Sequence, residues 1–167
     1  MIILGIDPGT ATTGFGILRL EDKIYNVMKW GLIETKKTDL HPVRLSFIYR
    51  DLIKILETYK PDVLVIEKVF FSSNVKTAIA VGQAQGVIML TAAHMNIPVV
   101  EYAPGTIKKV LTGNGRADKK MVQVHVRKFL GAKVKSEAHK KTHFDNAADA
   151  LAIALCHIFT NDLVVKV

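Results

Sequence analysis

Apolar residues fall along this chain in two kinds of run, and the change from one to the other sets the expected order of elements. Short, β-branched runs at 2–7, 14–20 and 24–34 are separated only by tight-turn residues, which predicts three successive strands in an antiparallel meander. From His41 to Tyr59 the period changes. Leu45, Ile48, Leu52, Ile55 and Leu56 recur at helical spacing, and Lys60-Pro61-Asp62 ends the segment. Beyond it the two periods alternate: a strand at 63–67, a long helix from about Val75 to Asn96, a strand at 98–102 introduced by Pro98, and helices near 104–112 and 117–130. A Lys- and His-rich segment, 132–143, leads into an alanine-rich amphipathic stretch, HFDNAADALAIALCHIF, that reads as the last helix. The pattern contains no internal repeat, low-complexity stretch or linker.

Three leading antiparallel strands followed by two strands reached through helices predict an α/β fold with a mixed five-stranded sheet flanked by helices. This is the ribonuclease H-like arrangement rather than a purely parallel doubly wound one, and in it strands one and four are neighbours. A length of 167 residues suits a single domain, 1–167. Lys plus Arg exceed Asp plus Glu by 23 to 15, a formal charge of +8, which favours nucleic acid over acidic partners, although solubility alone would also account for it. The single cysteine, Cys156, excludes an intramolecular disulfide and suits a reducing compartment. No apolar run approaches the roughly 18 residues of a membrane span, and the N-terminus enters a strand with no basic leader. The expectation is a cytoplasmic protein with no membrane partner.

Against this background three acids are out of place. Asp7 closes the apolar run IILGID before a Pro-Gly turn, Glu67 closes the β-branched run DVLVIE, and Asp149 lies in the alanine-rich last helix. Desolvating one unpaired carboxylate is costly, and three that converge repel one another unless a cation holds them. Mg²⁺ is the natural candidate, because it takes hard oxygen ligands and keeps waters for chemistry. Phosphodiester hydrolysis needs an activated water, an in-line approach and neutralisation of the leaving oxygen, which two metal ions about 4 Å apart can supply. Asp7 would bridge the ions, with Glu67 and Asp149 on either side. Each acid also has a plainer reading: an Asx-type cap of the Pro-Gly turn for Asp7, a strand-end pair with Lys68 or a neighbour for Glu67, and a first-turn acid favoured by the helix dipole for Asp149.

The segments GIDPGTATTGFG, VIEKVFFSSNVKTAIAVGQAQGV, EYAPGTIKKVLTGNGRADKKMV and AADALAIALCH occur in this order along nearly the whole chain. Together they resemble the RuvC-type Holliday-junction resolvases. The first motif alone would be weak, since such turns occur across the wider superfamily. The resemblance implies a homodimeric, metal-dependent endonuclease that nicks opposing strands of a four-way DNA junction symmetrically in recombination and repair, leaves a 5′-phosphate, and works with a branch-migration motor. It also implies catalytic positions at Asp7, Glu67, Asn146 and Asp149, with metal held by Asp7, Glu67 and Asp149. Whether Mg²⁺ or Mn²⁺ serves better does not follow.

Asn146 departs from the family pattern, in which the position three residues before the last aspartate is an acid or, in some members, a histidine. An amide coordinates through its carbonyl oxygen but brings no negative charge and cannot act as a base. Three readings are open. Asp145 could take its place, His143 could supply the base, or Asn146 could be an engineered disarming of the site, leaving a chain that binds junctions but hardly cuts them.

The DNA-binding surface is expected in two groups. After Glu67 comes Lys68-Val69-Phe70-Phe71-Ser72-Ser73-Asn74, where the resemblance points to Phe70 as a wedge or stacking residue and Asn74 could contact a phosphate or base edge. The second group is Lys108, Lys109, Arg116, Lys119 and Lys120 around Thr112-Gly113-Asn114-Gly115, with the amides of a helix beginning near Ala117 aimed the same way. By resemblance, Lys108 and Lys119 match lysines of junction contact and catalysis; the remaining lysines would equally suit a solvated helix face. In the long helix, Ala78, Ala80, Gly82, Ala84 and Gly86 permit close approach, with Val81, Val87, Ile88 and Leu90 as apolar contacts. That composition suits a dimer interface or a wholly internal helix. Two alternatives stand beside the resolvase: another ribonuclease H-like nuclease acting on RNA, and a junction-binding scaffold without catalysis.

Overall fold

The computed structural model describes residues 1–69, 75–131 and 141–163, with 141–146 described by backbone alone. Element order is β1 (Ile2–Asp7), β2 (Thr12–Glu21), β3 (Ile24–Glu34), α1 (His41–Tyr59), β4 (Val63–Glu67), α2 (Val75–His94), β5 (Val99–Tyr102), α3 (Pro104–Thr112), α4 (Lys119–Leu130) and α5 (Lys141–Thr160). The five strands form one sheet in the order β3-β2-β1-β4-β5. β1 runs antiparallel to β2 and parallel to β4, with Ile3 opposite Val63 and Ile6 opposite Ile66. The predicted mixed sheet and the β1–β4 neighbourhood are therefore both present.

Alternation along the strands divides the core in two. Ile3, Leu18, Val63 and Val65 face α3, α4 and α5, whereas Leu4, Ile6, Ile17, Leu64 and Ile66 face α1 and α2. This is why β1 and β4 read as continuous apolar runs: both of their faces are buried. Residues 7 and 67 continue the parity of Ile3 and Val63, so Asp7 and Glu67 project side by side from the face that α5 covers.

The last helix differs from expectation. From Ala147 to Phe159 only Asp149 and His157 escape full burial, so this part of α5 is buried nearly all round rather than on one face. It lies between the sheet, through β1 and β2, and the outer helices α3 and α4. Its closeness to the sheet depends on Gly5 and Gly16, which oppose each other across β1 and β2. A Cβ on Gly5 would run into the Ala150 carbonyl oxygen and lie 2.8 Å from the Ala154 nitrogen, and one on Gly16 would lie 2.7 Å from Leu151 Cδ2. The helix also begins at Lys141, inside the segment expected to precede it.

α2 ends at His94, and Asn96, with φ of 55°, turns the chain into β5. Ala84 and Ile88, expected among the interface residues, are buried in the chain's own core. Ile79 and Leu90 are exposed, and among the described residues nothing outside the helix's own backbone lies within 4 Å of where a Cβ on Gly82 or Gly86 would be. The helix is thus internal along one face and open along the other. α4 starts at Lys119 rather than near Ala117, because Asp118 caps it: its Oδ1 accepts a 2.7 Å hydrogen bond from the Met121 amide.

Gly5→Ala is expected to cost at least about 3 kcal/mol, because the colliding atoms are helix backbone and cannot rotate aside. Urea unfolding of the variant and wild type would measure it; equal midpoints and slopes would show that α5 can lift off β1 without penalty.

Candidate active site

The carboxyl ends of β1 and β4 lie together where the sheet changes from antiparallel to parallel pairing, the usual place for a ligand crevice in α/β sheets. The turn after Asp7 is tied down from three directions. Thr13 Oγ1 donates to the Gly9 carbonyl at 2.7 Å, Thr35 Oγ1 donates to the Thr10 carbonyl, and Arg44 Nε donates to Thr35 Oγ1 at 2.8 Å from α1. Among the described residues no hydrogen bond reaches the Asp7 carboxylate, so the Asx-cap reading fails: the threonines close the turn. Beyond Glu67 the β4–β5 ladder gains one more bond, from the Lys68 amide to the Tyr102 carbonyl at 2.9 Å. Glu67 forms no ion pair with Lys68 among the described residues. Asp149 stands more than two turns into α5, past the reach of the helix dipole, so the first-turn reading fails as well.

Asp7, Glu67 and Asp149 line one cleft of about 310 Å³ with Pro104, Ile107, Lys108, Lys119, Val122, Ala152 and Ile153. A second cleft meets it at Asp7, Glu67 and Pro104 and runs along Lys68, Val69, Thr77, Ala78 and Val81. The acids therefore lie midway along a trough between α3–α4 on one side and the start of α2 on the other. Burial, then the charges of Asp149 and Glu67, push the Asp7 pKa from 3.8 up to about 7 against the opposing pull of Lys119. Glu67 is raised too, first by burial and then by Asp149, with Lys108 pulling it down. Lys119 Nζ holds Asp149 Oδ2 at 2.6 Å.

Among the described residues, no three acids, imidazoles or thiols are gathered closely enough to enclose an ion as they stand. The donor set nevertheless suits a hard divalent cation: three carboxylates share one cleft, and burial together with their mutual repulsion raises the Asp7 pKa to about 7. A cation between them would offset both causes by favouring the charged carboxylates.

Of the other expected residues, Lys108 lines the same cleft, while Lys109, Arg116 and Lys120 are exposed on α3, the turn and α4 and do not line it. The α4 amides expected to face a phosphate are partly taken by the Asp118 carboxylate. Phe70 and Asn74 lie outside the described residues, as does the Asn146 side chain; the backbone places Asn146 in α5, three residues before Asp149. The apolar walls, Ile107, Val122 and Ile153, and the Arg44–Thr35–Thr10 tether went unforeseen. Nothing in the spacing of Arg44 or Thr35 marks them, because the tether joins residues from separate elements.

The profile of the family described as crossover junction endodeoxyribonuclease RuvC matches residues 3–157. A protein of that description from Syntrophomonas wolfei is 46% identical over 158 residues, covering 95% of this chain and 88% of its own. Among solved structures, RuvC of Thermus thermophilus in complex with a Holliday junction substrate is similar with a TM-score of 0.84 at 30% identity, covering 96% of this chain and 94% of that one. The yeast mitochondrial Holliday junction resolvase shares the fold, with a TM-score of 0.70 at 16% identity over 96% of this chain and 79% of its own.

Because the folded Asp7 pKa lies above its unfolded value, the metal-free protein binds this proton more tightly when folded, and its stability falls as pH rises from about 4 to about 7. Asp7→Asn should remove that loss. In EDTA the variant is expected to match wild type near pH 4 and exceed it at pH 8 by on the order of 2 kcal/mol, less than full linkage because Asp7 keeps some solvent contact. Thermal unfolding across pH checks this; parallel curves would show that Asp7 is unstrained.

Proposed function

The chain belongs to the RuvC family of crossover junction endodeoxyribonucleases, and on that premise we propose that it resolves four-way DNA junctions by metal-dependent hydrolysis in the cleft of Asp7, Glu67 and Asp149. The observation that carries this reading is the meeting of three acids from β1, β4 and α5 beside two lysines in one open trough. A divalent metal, Mg²⁺ first and Mn²⁺ as substitute, would be held by the three acids and supply an activated water and neutralisation of the leaving oxygen. Lys108 and Lys119 present ammonium groups to the same cleft, where a phosphate oxygen can take them as counter-charges. The trough continues past Asp7 towards Lys68 and α2, which gives a strand a path through the site rather than a dead end. Phe70 and Asn74 follow directly on that path in sequence, which supports their roles in DNA contact.

Symmetric cutting of a junction with approximate twofold symmetry calls for two sites related by a dyad. The open face of α2, with Ile79, Gly82, Gly86 and Leu90, is our choice for the homodimer contact, because it joins apolar exposure to room for close approach. A branch-migration motor is the further partner implied by the family. Among the described residues no helix is long and apolar enough to cross a membrane, and we assign the protein to the cytoplasm.

Asn146 supports a second reading for the chain as it stands, a junction binder that cuts poorly, because the position lacks the family's acid or histidine. Cleavage of a labelled mobile four-way junction, with and without Mg²⁺, alongside a gel shift, separates the readings. Asn146→Asp is expected to raise the cleavage rate at least about tenfold with binding little changed, and adding Asp7→Asn should abolish cutting while binding persists. If neither version prefers junction to duplex and neither cuts, the resolvase reading is wrong.

A further inference from the structure

We infer that Lys119 is the resident counter-ion of the acidic cleft: it occupies Asp149 where the divalent metal must bind, and metal entry releases its ammonium group into the cleft. The inference rests on the metal reading of Asp7, Glu67 and Asp149. Its first support is contact: Nζ lies 2.6 Å from Asp149 Oδ2, a charge-assisted distance, so the ammonium already holds an oxygen the metal requires. A divalent ion and a lysine ammonium repel each other at one carboxylate, so binding of the ion to Asp149 weakens the hold of Lys119 on it.

The second support is where Lys119 stands. It is the first residue of α4, followed by Lys120, and the first turn contains no acid. Cations there are opposed by the positive end of the helix dipole. Helix stability therefore does not explain the lysine, whereas the Asp149 carboxylate does. The third support is freedom to leave. The Lys119 side chain is 55% exposed against 25% for Asp149, so the lysine can swing away without unpacking the core while the acid stays fixed on buried α5. Lys108 lines the same cleft but forms no ion pair with any of the three acids among the described residues, which makes it the control of equal charge.

The exchange gives Lys119 two successive partners. Without metal it offsets the repulsion among the acids; with metal bound, its ammonium can turn from Asp149 to a phosphate oxygen lying in the cleft. A single residue thus steadies the metal-free site and serves the phosphate when the metal arrives.

The test uses the full chain and Mn²⁺ as the probe, with bound ion counted by electron paramagnetic resonance and thermal midpoints measured in EDTA and at saturating Mn²⁺. Lys119→Met is expected to bind Mn²⁺ about fivefold more tightly than wild type. Its midpoint in EDTA should fall by about 2–4 °C, and the deficit should vanish at saturating Mn²⁺. Lys108→Met should shift affinity by no more than about twofold and leave the midpoint difference independent of metal. Asp149→Asn, losing the Mn²⁺ site, establishes the metal reading independently. If Asp149→Asn loses binding but Lys119→Met matches wild type, or Lys108→Met matches Lys119→Met, the counter-ion role is overturned. If Asp149→Asn binds Mn²⁺ as wild type does, the metal reading falls and takes the inference with it.

Discussion

Contact of the last helix with the first two strands at Gly5 and Gly16 is the constraint on which the rest of this molecule depends. With side chains at those positions, α5 would have to stand farther from the sheet, and the acid it carries would no longer share a cleft with Asp7 and Glu67. The alanines at 147, 148, 150, 152 and 154 complete the arrangement from the helix side by keeping it thin. Around the two glycines, Ile3, Leu18, Val63 and Val65 meet the apolar side chains of α5, so burial of that helix supplies much of the apolar contact on this face.

Placing carboxylates in such a position opposes stability. Asp7 sits at the end of a strand whose interior is fully buried, with two further acids close enough to perturb it. The protein answers with cations on flexible stems brought by α3 and α4 rather than with hydrogen bonds to Asp7 from the backbone. That choice keeps the acids available. Carboxylates satisfied by amides would be stable and inert, whereas carboxylates balanced by mobile lysines can exchange partners. The tether from Arg44 through Thr35 to the Thr10 carbonyl complements this, since it holds the Asp7 turn by its backbone and leaves the carboxylate alone.

Much of this was legible in the chain itself, for identifiable reasons. Strand and helix periods placed every element to within a few residues, because β4 and α1 carry unambiguous patterns and Lys60, Asn96 and Pro104 mark boundaries by backbone geometry. Asp7, Glu67 and Asp149 stood out because charge is anomalous in apolar runs, and all three do line one cleft. Less legible was which way a helix faces. The α5 segment looked amphipathic because it joins His143, Asp145 and Asn146 to an apolar run, yet between Ala147 and Phe159 all but Asp149 and His157 are buried. α2 looked uniformly small and apolar, and only packing separates Ala84 and Ile88, which are internal, from Ile79 and Leu90, which are open. The exposed positions of Lys109 and Lys120 likewise depend on where α3 and α4 dock, and a charge run does not record that.

The order of the chain adds one more property. Asp7 and Glu67 precede Asp149 by 142 and 82 positions, and the helix that carries Asp149 packs between the sheet and the outer helices α3 and α4. Contacts of such long sequence separation form late and all together. A growing or prematurely ended chain therefore holds two of the three acids without the third, and cannot assemble the complete cleft. Topology thus withholds the assembled cleft from any chain that has not yet reached α5.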